Sequence, residues 1–266
     1  MKTQRRSFLQ HLGLASAAAL MLSMPFAAQA DALDKVQKAG VIKIAIPQDF
    51  PPFGSLGADL KLQGYDIDMA NLIAEEMGVK VELIPVTSTN RIPFLTTGKA
   101  DLVISSLGKN PERAKVIDFS APYVPFVKSV YGPPDAAIAG PADLAGKVVG
   151  VTRGSTEDLA LTDLAPKGTS IKRYEDNNAT IASYLTGQVE LVTVGNIVAN
   201  AVNDKTGQRP MAAKFAVEDT PCYIGVAKGE TALLDKVNAI IAKARADGRL
   251  NEFSLRWLKE PLPASI

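Results

Sequence analysis

Apolar and polar positions alternate along Val41 to Ile46, where Ile42, Ile44 and Ile46 share one face, and the run ends in a proline-rich loop, PQDFPPFG. That period of two predicts a β-strand. From Tyr65 to Met77 the spacing changes: Ile67, Ala70, Ile73, Ala74 and Met77 fall on one side of a helix that stops at Gly78. A second strand is expected over Val79 to Ile84, a short helix over Ile92 to Thr97, and a third, buried strand over Leu102 to Ser105. The segment VYGPPDAAIAGPADLAGK then interrupts the pattern with Gly and Pro, as a boundary between lobes does. Beyond it the alternation restarts: strand Val148 to Val151, a helix from about Glu157, strand Ile171 to Tyr174, helix Asn178 to Leu185 and strand Val189 to Val194. A strand-like CYIGVAK precedes a helix carrying Leu233, Val237, Ile240, Ile241 and Ala244, and a last one holding Phe253, Trp257 and Leu258. Two rounds of alternating strands and helices predict an α/β protein of two lobes.

The first thirty residues follow a different pattern. Lys2, Arg5 and Arg6 precede an uncharged apolar run from Leu12 to Ala28, and AQA ends the segment before Asp31. This predicts an export signal cleaved after about Ala30, with QRRSFLQ resembling the twin-arginine export motif. The apolar run is shorter than the ~20 residues of a spanning helix. No cysteine follows the expected cleavage site, which argues against a lipid anchor there.

Composition narrows the chemistry. Without the signal, 26 basic residues face 28 acidic ones with no run of like charge, so nucleic acid and anionic membrane are poor partners. The single histidine, His11, lies in the signal. The exported chain therefore has no imidazole base, no Ser-His or Cys-His nucleophile and no histidine-containing metal site, and no cofactor is expected. The single cysteine, Cys222, reads as a small buried hydrophobe.

The stretch ISSLGKNPERAKVIDFSAPY, Ile104 to Tyr123, concentrates hydrogen-bonding groups where a buried strand ends. Asn110-Pro111-Glu112-Arg113 reads as a helix start, with Asn as cap and Pro at the first helical position. Arg113 then falls in the first turn, near free N–H groups, and Ser105 and Ser106 end the strand at the crevice where open α/β sheets bind ligands. Guanidinium, hydroxyls and amides converging in this way would suit a carboxylate. The structural alternative is that Arg113 pairs with Glu112 or Asp118 at the surface while the serines only end the strand.

Six segments in order, PPF, GYDIDMANLIAEEMG, IPFLTTGKADLVISS, PERAKVIDFSAPY, DLAGKVVGVTRGST and the closing helices with Trp257, resemble the family 3 solute-binding proteins that deliver polar amino acids to bacterial ABC importers. The resemblance implies a two-lobed type II periplasmic-binding fold, with a ligand cleft between lobes joined by two crossing strands. Residues 31–130 plus 228–266 would form lobe 1, residues 131–143 a linker, and residues 144–227 lobe 2 with hinge strands at its edges. It further implies a periplasmic monomer that binds a small amino acid or carboxylate and docks on an ABC permease, with no enzymatic step. By position, Phe50 would lie over the ligand with Phe53 in the core, Ser105, Ser106 and Arg113 would hold the ligand's α-carboxylate, and Ser155 and Thr156 would meet the same anion from the second lobe. The same scaffold supports two other readings, a dehydratase-like periplasmic enzyme and a ligand-binding partner of a sensor.

Three departures from the family pattern bear on the ligand. Gly108 stands where a hydroxyl residue is frequent, leaving a backbone N–H. Gly195 and Asn196 stand where most members carry the aspartate that pairs with the α-ammonium, so Asn196, Glu157 or Asp158 substitutes, or the ligand lacks that group. Arg91, in TSTNRIPFL, matches an arginine of acidic amino-acid receptors, although a solvated helix residue is an equal reading. Together these lean the expectation toward aspartate, glutamate or a related carboxylate.

Overall fold

The computed structural model describes residues 31–206 and 209–266. The expected export signal, with His11, lies outside the described residues. Helix α1 (Ala32–Ala39) is capped by the Asp31 carboxylate and closed by left-handed Gly40 before strand β1 (Val41–Pro47). Strands β2 (Asp49–Phe50), β3 (Gly54–Leu56) and β4 (Leu62–Gln63) form a small sheet of their own. Helix α2 (Tyr65–Met77) starts at Gly64, where a Cβ would lie 2.2 Å from the Phe53 carbonyl oxygen at φ +142°. Only glycine fits that approach.

Strand β5 (Lys80–Val86), helix α3 (Arg91–Thr96), strand β6 (Leu102–Gly108), helix α4 (Pro111–Val116) and strand β7 (Ile117–Val124) follow. The chain then enters a second sheet through β8 (Val127–Gly132) and continues with β9 (Val148–Thr152), α5 (Thr156–Leu164), β10 (Ser170–Tyr174), α6 (Asn177–Leu185), β11 (Leu191–Gly195), α7 (Asn196–Thr206) and β12 (Ala212–Asp219). Strand β13 (Cys222–Ala227) returns to the first sheet, and helices α8 (Thr231–Ala246) and α9 (Arg249–Trp257) end the described chain. The first sheet runs β5-β1-β6-β13-β7 and the second β10-β9-β11-β8-β12.

The lobe boundaries implied by the resemblance shift accordingly. β13, expected as a hinge strand at the edge of lobe 2, pairs antiparallel with β6 and β7 of the first sheet, and β8, most of which was expected in lobe 1, pairs with β11 and β12. The crossings therefore fall at residues 125–126 and 220–221, outside the Gly/Pro-rich segment 131–143. Strand β6 runs three residues beyond its expected end because Leu107 and Gly108 continue the ladder opposite Tyr223 and Cys222.

Both faces of the first sheet are covered. Ile42, Ile44 and Ile46 of β1 are buried in one cluster with Ile73 of α2 and Val237 and Ile241 of α8, while Ala45, Val103 and Leu107 pack with Leu95 of α3 on the other side. Helices on both faces of a mostly parallel sheet leave the strand ends as the place for a ligand.

Candidate functional site

The carboxyl ends of β1 and β6 and the first turns of α5 and α6 enclose one cavity. The first lobe contributes Pro47, Asp49, Phe50, Val86, Ser88, Arg91, Ser105 and Ser106, and the second contributes Ser155, Glu157 and Asn177. It holds about 350 Å³ free of protein atoms, part of it open to solvent. The enclosed part is small, with about 20 Å³ accessible to the centre of a water-sized sphere, room for about one water with the lobes this close together.

Six residues singled out from sequence, Phe50, Arg91, Ser105, Ser106, Ser155 and Glu157, line this cavity together. Phe50 lies at its wall and Phe53, stacked on it at 5.8 Å, is fully buried. Gly108, Arg113 and Thr156 sit where the lobes touch. A Cβ on Gly108 would come within 2.9 Å of Thr156 Cγ2. Arg113 Nη1 donates to the Gly108 carbonyl at 2.8 Å and Nη2 to the Gly154 carbonyl at 3.0 Å, so one guanidinium bridges both lobes.

Asn110 caps α4 as the sequence suggested, its side chain accepting from the Arg113 N–H at 2.8 Å. That N–H is thereby occupied and α4 has six residues, so the guanidinium rather than the helix start carries positive charge toward the cleft. In the same way the Ser155 hydroxyl caps α5 by accepting from the Asp158 N–H.

Asn196 is not brought to this cavity. Its Oδ1 accepts the Val127 N–H at 3.1 Å, and it lines a separate, larger groove with Pro51, Pro125 and Trp257. Lying one residue past the end of β11, it turns toward the crossing rather than the cleft. Gly195 is equally closed to the ligand, because a Cβ there would fall 1.9 Å from Phe126 Cζ. The Phe126 ring fills that space and packs on Phe53 at 5.5 Å and Phe50 at 6.3 Å. Of the two acids left open, Asp158 is committed to the Gly154 N–H and to Arg173 Nε, while Glu157 lines the cavity.

The electrostatics centre on two buried arginines. Arg91 Nη1 donates to the Ser105 carbonyl, its Nε has no partner, and neither Arg91 nor Arg113 forms a salt bridge among the described residues. Burial lowers both guanidinium pKa values, and the charge of Arg91 helps bring Arg113 down to about 9. Two cations held out of water beside each other favour an anion between them.

Sequence reading missed the groups that hold this arrangement. Asp66, in the first turn of α2, is fully buried and accepts from the Ser106 N–H at 2.7 Å and the Tyr123 hydroxyl at 2.6 Å. It fixes Ser106 at φ +41°, a conformation uncommon for a non-glycine residue, at the cavity wall. Burial pushes its carboxyl up to about 7 against those two hydrogen bonds. Asp49 Oδ2 accepts from the Asn177 backbone N–H at 2.7 Å and from its Nδ2 at 3.2 Å, while Oδ1 is buried without a partner. At the crossing, buried Lys128 donates to Glu218 and Thr220, both at 2.7 Å, and ties β8 to β12 and the segment beyond it. The acid in GYDIDM was the one signal at hand for Asp66, since a carboxylate in a first helical turn accepts N–H groups.

A two-lobed α/β chain with a charged cavity between its sheets is the architecture of a solute receptor. Residues 42–260 match the bacterial extracellular solute-binding proteins, family 3, and the chain belongs to that family. It is 28% identical to the L-cystine-binding protein TcyJ of Escherichia coli K12, over 94% of this chain and 97% of the relative. The L-arginine-binding protein of Pseudomonas aeruginosa is 31% identical over 81% of this chain and 87% of its own. Among solved structures, the cysteine-binding protein of Campylobacter jejuni superposes with a TM-score of 0.81 at 27% identity, covering 89% of this chain and 96% of that one. The chain is thus the solute-binding component of an amino-acid ABC transporter, with the two-lobed type II fold, and a binding protein rather than an enzyme.

Proposed function

We propose that the protein captures an acidic amino acid, or a related carboxylate carrying an ammonium group, in the periplasm and delivers it as a monomer to an ABC permease. The observation that carries this reading is the pair of buried guanidiniums, Arg91 and Arg113, without a carboxylate partner among the described residues. Asp49 Oδ2 is engaged by the neutral Asn177, and Arg91, Asp49 and Glu157 line the cavity. An acidic amino acid answers the two guanidiniums with two carboxylates and leaves one ammonium for either acid. Ser105, Ser106 and Ser155 add hydroxyls around the same space, and Phe50 supplies an apolar wall.

A thermal-shift screen of the exported chain against amino acids and dicarboxylates tests this. Ligand at ~100 times its dissociation constant adds about 2.7 kcal/mol of stability. L-Aspartate or L-glutamate should give the largest shift, and Arg91→Met should remove it for acidic ligands while sparing neutral ones. A second reading, L-cystine, is favoured by the buried, unpartnered Asp49 Oδ1, which suits a second ammonium, and by the similarity to TcyJ. A shift with cystine and none with glutamate or aspartate would select it.

A further inference from the structure

We infer that the large groove between α7 and α9 is the counter-space of the cleft, widening as the lobes close and narrowing as they part, so that whatever fills it sets the resting balance between open and closed forms. This goes beyond the ligand reading above and holds whichever amino acid is bound. The groove has about 2040 Å³ free of protein atoms, part of it open to solvent, against about 350 Å³ for the cleft cavity. Both lobes line it. Asn196, Ile197, Asn200, Ala201, Asp204 and Lys205 form the second-lobe wall. Their spacing is one stripe of α7, whose other side buries Val198, Ala199 and Val202 in the core.

The first-lobe wall is braced from behind. Trp257 Nε1 donates to Asp68 Oδ2 and Ser254 Oγ to the Glu260 carbonyl, both at 2.7 Å, and the Leu262 N–H donates to Asn251 Oδ1 at 2.9 Å. Helix α9 and the tail after it are thereby fixed to α2. Among the described residues, no ion pair or side-chain hydrogen bond crosses from the α7 stripe to α9 or the tail. On the cavity side, by contrast, Asp49 reaches Asn177 and Arg113 reaches the Gly154 carbonyl.

A pivot lies between the two spaces. Phe50 faces the cavity, while the next two residues, Pro51 and Pro52, line the groove. At the crossing, Pro125 lines the groove and the buried Phe126 ring packs on Phe50 and Phe53 of the first lobe. The same ring fills the space over Gly195 at the start of α7 in the second lobe. This aromatic cluster therefore joins the lobes with ligand space on one side and groove on the other. Packed side chains do not compress, so a rotation about the cluster that closes one gap opens the other.

The test fills the groove without touching the cleft. Ala201→Trp places a bulky ring on the α7 wall and should hold α7 away from α9, which favours closed lobes. Small-angle X-ray scattering of the ligand-free exported chain should give a smaller radius of gyration than wild type. Calorimetry with L-glutamate, L-aspartate and L-cystine should show every one of them that binds wild type binding about threefold or more tighter, by a common factor. A larger closed fraction raises all affinities alike. Asn200→Phe, at an exposed position on the same wall, gives the readout if the tryptophan variant folds poorly. An unchanged or larger radius, an unchanged or weakened affinity, or a gain confined to one ligand overturns the inference. Where none of the three ligands binds wild type, the scattering alone decides it, and only the ligand reading above has failed.

Discussion

Asp49, the first residue of β2 in the first lobe, accepts two hydrogen bonds from Asn177 at the start of α6 in the second lobe, although 128 residues separate them. The contact exists only while the lobes are together. A group that interacts with the closed arrangement alone shifts the opening equilibrium by its full interaction energy. Asp49→Ala should therefore weaken every ligand by about tenfold, mainly through faster release, with little change in which ligand is preferred. Stopped-flow release measured on two unlike ligands checks this, and a loss confined to one of them would contradict it.

Asp66 links stability to pH. Its buried carboxyl is raised from 3.8 to about 7, so the folded protein binds that proton more tightly than the unfolded chain. The contribution is full below about pH 4 and is lost as pH rises toward and through about 7. Asp66→Asn keeps one acceptor, its amide oxygen, for the Ser106 N–H, turns its NH2 toward the Tyr123 hydroxyl as a donor, and removes the titration. Urea unfolding at pH 4.5 and 7.5 should show the wild type losing stability relative to the variant between the two values, by an amount on the order of a few kcal/mol. Parallel pH dependence in the two proteins would contradict this account.

Much of this was legible in the sequence for local reasons. Gly78 ending α2, and Asn110 with Pro111 opening α4, are short-range devices whose residue types announce their role. So was the meeting of Arg91, Ser105, Ser106 and Ser155, because each sits at a strand end or helix start. Lobe membership of β8 and β13 was not legible, since an apolar strand reads alike whichever sheet receives it. Asn196 was misplaced because its direction depends on how α7 leaves β11, and the Asp49–Asn177 contact has no local signature at all.

The Phe126 ring and Gly195 form one packing unit. Gly195→Ala should destabilise the protein by about 1–3 kcal/mol, because its Cβ would fall 1.9 Å from Phe126 Cζ in a packed aromatic cluster. Phe126→Leu removes the colliding ring atoms, so the double variant should cost less than the two single changes together. Denaturant midpoints for the four proteins give the coupling, and strict additivity would show that the ring yields freely.

The most direct measurement is a calorimetric titration of L-glutamate and L-aspartate into wild-type, Arg113→Ala and Arg91→Met proteins, with folding checked for each. Removing the bridging guanidinium should weaken both ligands by at least ~30-fold, and removing Arg91 should do so for these acidic ligands but not for a neutral one. Affinities within about threefold of wild type in a folded Arg113→Ala protein would show that the ligand's carboxylate is held elsewhere.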